Sequence, residues 1–515
     1  MVSGSSRTVV FGGAPLAVED VAALAHGTAR PVLEASLAFR ARIEKGASIV
    51  AERVRRGPPL YGVTTGFGAS SGTEVPAGLA EALPLNLLRY HGCGTGAILG
   101  EVESAAIVAV RLASLSRGLS GVRPVVLERL RDLLALRILP RIPSEGSVGA
   151  SGDLTPLSYV AAVIAGEREV TAFGDVMPAA GALARAGLEP VALAPKESLA
   201  LMNGSSAMTG LACLAYARAR RLVRLGASLT AMAVDVIGGQ PGHFDARIFA
   251  AKPHPGQETC ARWIREDIEC GPRPAPADGR TQDRYSIRCA PHVLGVLADF
   301  LPFARGVLEV EVNGASDNPL VDVETGEVLH GGNFYGGHVA FVMDSMKAAV
   351  ASVAELLERQ LVQLCSPRTS GGLPENLVAV KGPARAAHHG FKAMEIAASA
   401  LTAEALKATM PAAAFSRSTE GHNQDKVSMG SIAARDALRV LDLAETVAAI
   451  HLLALCQAFD LRQGRGCHGR ARALHLAVRA HVSMNVADRR QDGDIERVIA
   501  LIRADALPVG EIELP

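Results

Sequence analysis

The sequence predicts a mainly α protein in which a bundle of long helices forms the core beside a smaller N-terminal domain. Three helical segments, near residues 337–365, 391–410 and 426–459, each exceed the length of an average globular helix. Aromatic residues make up only 4% of the chain, and small and aliphatic residues dominate, which suits closely packed helices. Strand-like alternation of apolar residues is confined to residues 307–312 and 320–329.

The predicted N-terminal domain covers residues 1–200, where short helices alternate with turns marked by Gly and Pro. Pro124 begins one of these helices, because proline suits the first helical position and the apolar residues that follow share one face. Residues 201–515 are predicted to form the long-helix bundle domain with a C-terminal helical region. Its first helix is expected from about Ser205 to Val236.

Two segments of the second domain are predicted to lie outside helices. Residues 253–284 form the most polar and proline-rich stretch and are interpreted as a long surface loop. Residues 324–326 (ETG) lie between two apolar runs and indicate a hairpin turn. No internal repeat is visible.

Composition excludes several classes of function. The chain has 515 residues, with 52 Lys and Arg against 52 Asp and Glu, and zero net charge argues against nucleic-acid or anionic-membrane partners. Its eight cysteines form no CxxC pair, which indicates a reducing compartment and neither a zinc site nor a disulfide framework. With neither a secretory signal nor a transmembrane segment expected, the sequence predicts a soluble, cytoplasmic, oligomeric enzyme.

The most informative segment is GSVGASGDLTPLSY at residues 146–159. Attack of the Gly152 nitrogen on the Ala150 carbonyl, with loss of two waters, would turn Ser151 into an exocyclic methylidene, which is a strong electrophile. Cyclisation needs a tight turn with little side-chain bulk, and the small residues around Ser151 supply it. Asp153 and the following Thr-Pro pair indicate the start of a helix, whose positive dipole end would lie near the ring.

This segment resembles, nearly residue for residue, the prosthetic-group segment of the aromatic amino acid ammonia-lyase and aminomutase family. The resemblance extends in separate blocks from about Tyr61 to about Asp460. It implies a 4-methylidene-imidazol-5-one (MIO) group formed autocatalytically from Ala150, Ser151 and Gly152, with no metal or diffusible cofactor. It also implies a homotetramer in which each active site draws residues from three subunits.

The glycine-rich loop YGVTTGFG at residues 61–68 supplies a candidate base. A phosphate cradle is a weak alternative because no GK[ST] follows, and a simple surface turn anchored by Tyr61 stays open. In the family that the chain resembles, the tyrosine of this block lies on a mobile loop over the electrophile and removes a β-proton from the substrate. The resemblance therefore assigns the role of general base to Tyr61.

Two further blocks supply candidate catalytic residues. Asn203 stands where the family has an asparagine that hydrogen-bonds the substrate and the ring, although Asn-Gly alone is also a turn signal. Tyr285 and Arg288 are three residues apart and would face the same way in a helix. Arg288 has the geometry to bind a substrate carboxylate with two hydrogen bonds; a surface arginine is the alternative.

Residues 86–91 (NLLRYH) lie where the family sets its substrate preference. Phenylalanine-type members carry Phe-Leu at the positions of Tyr90 and His91, tyrosine types carry His-Leu or Ser-His, and histidine types carry Ser-His. His91 favours a polar ring such as phenol or imidazole, whereas Tyr90 is closer to the phenylalanine pattern. A capped histidine beside a packed tyrosine is the structural alternative.

Phe334 is expected near the prosthetic ring, or simply in the core. The blocks around it depart from the family pattern at four positions. These are His292, Gly314, Tyr335 and Gly337.

Residues 420–430 (EGHNQDKVSMG) bear most directly on the substrate. Histidine-type lyases place a glutamate where Gln424 stands, and a neutral amide cannot support a cationic imidazole as a carboxylate would. Gln424 with Glu420 resembles the phenylalanine-type arrangement. The sequence therefore predicts an ammonia-lyase acting on tyrosine or phenylalanine. The alternatives, in decreasing order of preference, are an aromatic 2,3-aminomutase, a histidine ammonia-lyase and a non-catalytic helical oligomer.

Overall fold

The computed structural model describes residues 7–76, 79, 82–268, 281–464 and 469–515. Helices dominate these ranges, which confirms the mainly α fold. The first helices along the chain are α1 (Val18–Ala25), α2 (Leu37–Arg56), α3 (Leu83–Tyr90), α4 (Glu101–Leu115), α5 (Pro124–Ala135), α6 (Leu154–Ile164), α7 (Ala179–Arg185), α8 (Glu197–Met202) and α9 (Ser206–Ile237). The later ones are α10 (Ala246–Ala250), α11 (Pro255–Asp267), α12 (Tyr285–Arg288), α13 (Ala290–Asn313), α14 (Gly337–Cys365), α15 (Lys392–Lys407), α16 (Gly430–Leu461), α17 (Gly469–Arg479) and α18 (Asp492–Arg503).

The strands are short. They are β1 (Arg7–Phe11), β2 (Ala29–Leu33), β3 (Thr95–Ile98), β4 (Leu139–Pro140), β5 (Pro143–Glu145), β6 (Glu169–Ala172), β7 (Asp175–Pro178), β8 (Leu320–Val321) and β9 (Val328–Leu329). β1 pairs with β2 in parallel, whereas β3–β5, β4–β6–β7 and β8–β9 are antiparallel. The β8–β9 hairpin confirms the predicted turn, in which Gly326 has a φ of +75° and the Asp322 carboxylate accepts from the Glu324 N–H at 2.8 Å.

The strand-like pattern at residues 307–312 was interpreted wrongly, because these residues belong to α13. Leu308 and Val312 are fully buried four residues apart, while Val310 between them is exposed. A run of only six residues is too short to separate the period of a strand from that of a helix. The apolar residues upstream continue the helical period, and the helix therefore extends through this segment.

The predicted loop at residues 253–284 was wrong for its first half, which forms α11. Pro255 occupies the first turn, where a missing N–H costs nothing, and Cys260, Trp263 and Ile264 are buried with helical spacing. Residues 269–280 of the predicted loop lie outside the described residues.

Contacts group the chain into two compact units. The first comprises Met1–Ala217, Arg305–Asp344 and Pro411–Arg435. The second comprises Arg218–Ala304, Ser345–Met410 and Asp436–Pro515. The first unit contains the whole predicted N-terminal domain together with later segments, and a domain division at residue 200 stays a prediction.

Helices of the first unit pack around α4 and α6. α1 and α5 pack on α4, and α6 packs on both α3 and α8. α4 is buried along most of its length, because its alanines and aliphatic residues pack against neighbours on several sides. The segments that follow α8 and α3 reach α6, because the Asp153 N–H donates to the Gly204 carbonyl oxygen at 2.8 Å and Ser158 Oγ donates to the His91 carbonyl oxygen at 3.2 Å.

Within the described ranges, no helix is both long and apolar enough to cross a bilayer. The described cysteines that are free thiols are Cys93, Cys213, Cys260, Cys289, Cys365 and Cys456.

His451 in α16 makes stability depend on pH. Its side chain is fully buried, and neither ring nitrogen has a hydrogen-bond partner among the described residues. Burial lowers the pKa of His451 from 6.5 to about 3, so on acidification the unfolded chain binds a proton that the folded chain does not. The folded state therefore loses stability as the pH falls below about 6.5.

His451→Leu is expected to remove this dependence. Between about pH 7.5 and about pH 5.5 the wild-type free energy of unfolding should fall by about 1.4 kcal/mol more than that of the variant. Urea unfolding at the two pH values measures the difference. His481→Leu, at an exposed histidine, is the control, and an equal loss in wild type and His451→Leu would contradict the assignment.

Candidate active site

The turn that carries Ala150, Ser151 and Gly152 lies in the first unit, immediately before α6. Gly149 and Gly152 have φ values of +65° and +66°, which side-chain-bearing residues rarely adopt. A Cβ atom on Gly152 would collide with the carbonyl group of Gly204. Glycine at position 152 is therefore required both by the backbone conformation and by a close approach of two backbones.

Ser151 lies between two side-chain amides. Asn203 donates through Nδ2 to the Ser151 carbonyl oxygen at 3.1 Å, and Gln424 donates through Nε2 to Ser151 Oγ at 3.2 Å. The Gln424 amide is oriented by Thr419, whose hydroxyl donates to its Oε1 at 2.9 Å. Asn203 Oδ1 is buried without a hydrogen-bond partner among the described residues, so an acceptor remains for a ligand.

Asp153 occupies the N-cap position of α6, as expected, but its carboxylate bonds elsewhere. It accepts from the Met208 N–H at 2.7 Å, from Ser147 Oγ at 3.1 Å and from Ser431 Oγ. Complete burial raises the pKa of Asp153, although these donors oppose the shift. Asp153 thus links the turn to the starts of α9 and α16.

Tyr61 lies on a loop whose backbone donates hydrogen bonds to a carboxylate. The Tyr61 hydroxyl accepts from the Gly68 N–H at 2.9 Å, and the oxygens of Glu420 accept from the Ala69 N–H at 2.9 and 3.0 Å. Glu420, expected to bind substrate, therefore contacts the loop of Tyr61 in this structure. The N–H that points at the phenol oxygen is a donor that would stabilise negative charge there.

Tyr90 and His91 follow one another at the end of α3, with ring centroids 4.2 Å apart. His91 Nδ1 lies 3.0 Å from the Leu87 carbonyl oxygen. Because a carbonyl only accepts, Nδ1 carries the hydrogen, and Nε2 of the neutral ring is left as an acceptor. Burial lowers the pKa of His91, which favours this neutral form. Partial burial, together with Tyr61 and Glu420, raises the pKa of Tyr90 to about 12.

Tyr285 and Arg288 lie in the second unit and face the same way, as predicted, with their side chains in contact. They form α12, with Arg288 Cζ 4.6 Å from the centroid of the Tyr285 ring. Arg288 Nε donates to the Asp283 carbonyl oxygen at 3.1 Å, so the rest of the guanidinium remains for other partners. Tyr285 is 71% exposed.

Phe334 is half-buried just before α14. The two neighbouring departures from the family pattern form a pair: a Cβ atom on Gly337 would lie 2.7 Å from Cε1 of Tyr335. The Tyr335 ring takes the space that a side chain at position 337 would need. His292, in the second unit, packs on Phe249 with ring centroids 5.3 Å apart.

Among the described residues, no group of three or more His, Cys, Asp or Glu side chains is arranged to hold a metal ion. The donors and acceptors around Ser151 are instead amides, hydroxyls and backbone groups, which suit a group built from the chain.

A family model described as aromatic amino acid lyase matches residues 16–480. The chain belongs to the aromatic amino acid lyase family. Its membership confirms the resemblance seen in the sequence, and it confirms that the protein is an enzyme, a carbon–nitrogen lyase. The non-catalytic alternative is thereby removed.

Individual members of the family show similarity over nearly the whole chain. A histidine ammonia-lyase of Gloeobacter violaceus is 39% identical over 96% of this chain and 95% of its own length. The solved structure of a tyrosine aminomutase from Streptomyces globisporus is 36% identical, with a TM-score of 0.89 over 99% of this chain and all of that one. A Trypanosoma cruzi histidine ammonia-lyase structure is 31% identical, with a TM-score of 0.87 over 97% and 94% of the two chains.

Two residues of this aromatic amino acid lyase support the turn in ways that the sequence pattern does not predict. The pattern indicates Asp153 only as the start of a helix, and Ser428, in the last block, donates its hydroxyl to the Gly149 carbonyl oxygen at 3.0 Å. The position of Asp153 directly after the triplet was the available signal. No local signal marks Ser428, because its partner lies 279 residues away.

Proposed function

We propose that this lyase eliminates ammonia from an aromatic L-amino acid, using an MIO group that forms from Ala150, Ser151 and Gly152. The observation that carries the proposal is the turn itself. Its backbone requires glycine on both sides of Ala150 and Ser151, and two amides donate to Ser151. Once formed, MIO supplies an electrophilic methylidene carbon that an amine can attack.

The side chains of the enzyme take the remaining roles. Arg288 binds the substrate carboxylate, since a guanidinium presents paired donors to two oxygens. Asn203 offers its unpartnered Oδ1 to the substrate amine. Tyr61 removes the β-proton as general base. The product would be an arylacrylate together with ammonia.

Two observations bear on the substrate and favour different rings. The curated relatives named histidine ammonia-lyase favour L-histidine over the predicted tyrosine or phenylalanine. Gln424 disfavours L-histidine and so favours L-tyrosine or L-phenylalanine, because a neutral amide stands where a carboxylate would pair with a charged imidazole. L-Histidine and L-tyrosine both carry an N–H or O–H group on the ring, which can donate a hydrogen bond to Nε2 of His91. We therefore propose these two substrates ahead of L-phenylalanine.

The test is to incubate the purified enzyme separately with L-histidine, L-tyrosine and L-phenylalanine and to follow acrylate absorbance and ammonia. A rise with histidine or tyrosine supports the proposal and names the substrate. Activity confined to phenylalanine would contradict the role of His91, and silence with all three would contradict the proposed reaction.

Gln424→Glu is expected to raise the ratio of kcat/KM for histidine over that for tyrosine by about tenfold, because a hydrogen bond to a carboxylate is stronger by about 1.4 kcal/mol. Steady-state kinetics of wild type and variant with both substrates measures the ratio. Gln463→Glu, at an exposed glutamine, is the control for the same change of charge. An unchanged ratio would remove Gln424 from the choice of substrate.

A second candidate reaction is the 2,3-aminomutase, in which nitrogen returns to the β-carbon before the acrylate leaves. The similarity to a solved tyrosine aminomutase favours it. Chiral chromatography of the same incubations decides between the two, because a β-amino acid forms only in the aminomutase reaction.

We also propose a cytoplasmic homotetramer with shared active sites. Support comes from large apolar side chains exposed on the second unit, Val296 (58%), Phe303 (53%) and Ile396 (64%), which a further copy would cover. The free cysteines accord with a reducing compartment. Light scattering during size-exclusion chromatography gives the number of subunits, and a monomer would contradict the proposal.

A further inference from the structure

Two cations are buried in the first unit, and the proposed reaction gives neither of them a role. Arg111, in α4, and Lys196, just before α8, are both fully buried, at 0% and 2% exposure. Lys196 Nζ forms an ion pair with Asp317 at 2.6 Å. Burial lowers the pKa of Arg111 to about 10, so its guanidinium is still charged at neutral pH. A buried guanidinium costs considerable desolvation energy, which apolar side chains of similar volume would avoid.

The Arg111 guanidinium holds the segment that follows Asn203. Its two terminal nitrogens both donate to the Ser316 carbonyl oxygen at 3.0 Å, and one reaches Ser206 Oγ at 3.4 Å. Ser316 Oγ in turn accepts from the Ser205 N–H at 2.9 Å. Three consecutive residues, from Gly204 to Ser206, are thus in contact with Arg111 or with its partner Ser316.

Gly204 lies between this guanidinium and the cyclising turn. A Cβ atom on Gly204 would collide with Nη1 of Arg111, and one on Gly152 would collide with the Gly204 carbonyl. The Gly204 carbonyl oxygen also accepts from the Asp153 N–H at 2.8 Å. Arg111, Gly204 and Gly152 therefore form a stack without space for a side chain, so a shift of the guanidinium would shift the turn.

The ion pair between Lys196 and Asp317 joins the two segments that position Gly204. Lys196 adopts a φ of +80° directly before α8, the helix that leads to Asn203, and Asp317 follows Ser316. The ion pair therefore fixes the start of α8 against the segment whose carbonyl binds Arg111. The segments on either side of Gly204 are therefore both held by buried charged side chains.

We propose that Arg111 is a positioning residue for the cyclisation of Ala150, Ser151 and Gly152, acting through Gly204. The inference rests on the proposed MIO group. In the reaction, the Gly152 nitrogen bonds to the Ala150 carbonyl carbon, and the carbonyl oxygen leaves as water with the N–H protons of Gly152 and Ser151. A second water takes the Ser151 hydroxyl and its Cα proton. Holding the Gly152 backbone against Gly204 keeps its nitrogen directed at the Ala150 carbonyl.

The test compares Arg111→Lys and Arg111→Met with Arg224→Lys and Arg224→Met. Arg224 is a matched control, because it is 1% exposed and paired with Asp267 in the second unit. Each protein is made by cell-free synthesis, and the mass of the peptide containing residues 150–152 is followed over time. In wild type this peptide should lack the mass of two waters.

The Arg111 variants are expected to lose the two waters about 10²-fold more slowly than wild type, the effect of a small misplacement of reacting groups. The Arg224 variants should mature at the wild-type rate while losing comparable thermal stability. If Arg111→Met does not fold, Ser206→Ala replaces it in the test. This variant removes one contact of Arg111 and is expected to slow the loss of the two waters less.

Folded Arg111→Lys and Ser206→Ala proteins that mature at the wild-type rate would overturn the proposal. So would Arg224 variants that mature as slowly as the Arg111 variants, since the effect would then follow from stability alone. A wild-type peptide of unaltered mass would instead contradict the MIO group, and with it the proposed function.

Discussion

Ser151→Ala is expected to leave no measurable ammonia release, with kcat/KM lower on the order of 10⁶-fold, as in enzymes that lose a covalent-catalysis residue. The reason is chemical: the methylidene carbon would derive from Cβ of Ser151, and alanine has no hydroxyl to lose as water. The fold should be almost unaffected, because the Ser151 Oγ that Gln424 contacts at 3.2 Å leaves as water when MIO forms, so alanine removes no hydrogen bond that the mature enzyme keeps. Ammonia release and the thermal midpoint, measured on the same preparation, separate the two effects.

Ser48→Ala is a matched control for Ser151→Ala. Ser48 on α2 donates one side-chain hydrogen bond to the Glu44 carbonyl oxygen at 2.9 Å, so Ser48→Ala makes the same substitution at a site away from the turn and should cost about 1 kcal/mol of stability. Only Ser151→Ala should lose activity. Only in this variant should the peptide containing residues 150–152 keep the mass of the two waters. Ammonia release above background from Ser151→Ala would exclude an electrophile built from this residue.

The parts of the site that could be predicted from sequence are those that short-range backbone geometry determines. The glycines around Ser151 indicated a tight turn, and the structure has positive φ at Gly149 and Gly152. Tyr285 and Arg288, three residues apart, contact each other because α12 is helical. In each case the distance along the chain is shorter than a few turns of helix, so spacing alone predicts the contact.

Contacts that join distant segments could not be predicted in this way. Asp153 bonds to the Met208 N–H 55 residues later, and Glu420 bonds to the Ala69 N–H 351 residues earlier. Such partners depend on how helices pack. The partner of Arg111 inside the apolar helix α4 is likewise distant, because the Ser316 carbonyl oxygen that it binds lies 205 residues later in the chain.

Short segments were ambiguous for a different reason. At residues 307–312, six residues fit either period, and the neighbouring helical turns decided the outcome. At residues 253–284, proline and polar content indicated a loop, although a proline in the first turn is compatible with a helix such as α11. Composition indicates where a helix starts or stops less reliably than the positions of its buried residues do.

Tyr61→Phe is expected to lower kcat by about 10²- to 10⁴-fold, the usual contribution of a general base, while changing KM little. The peptide containing residues 150–152 should still lack two waters, because Tyr61 has no role in cyclisation. The loop should stay in place, since Glu420 still accepts from the Ala69 N–H at 2.9 Å when the phenol oxygen is gone. Steady-state kinetics and peptide mass on the same sample therefore distinguish a lost base from a failed maturation.

Tyr159→Phe is the control, because the ring of Tyr159 packs under the Arg168 guanidinium at 4.2 Å and keeps that contact as phenylalanine. It should retain wild-type kcat. If Tyr61→Phe also retained wild-type kcat, the β-proton would have to leave to another group. Tyr90, which interacts electrostatically with Tyr61, is disfavoured for that role because its pKa is raised to about 12. A large loss of kcat with intact maturation would leave Tyr61, with the Gly68 N–H directed at its oxygen, as the base.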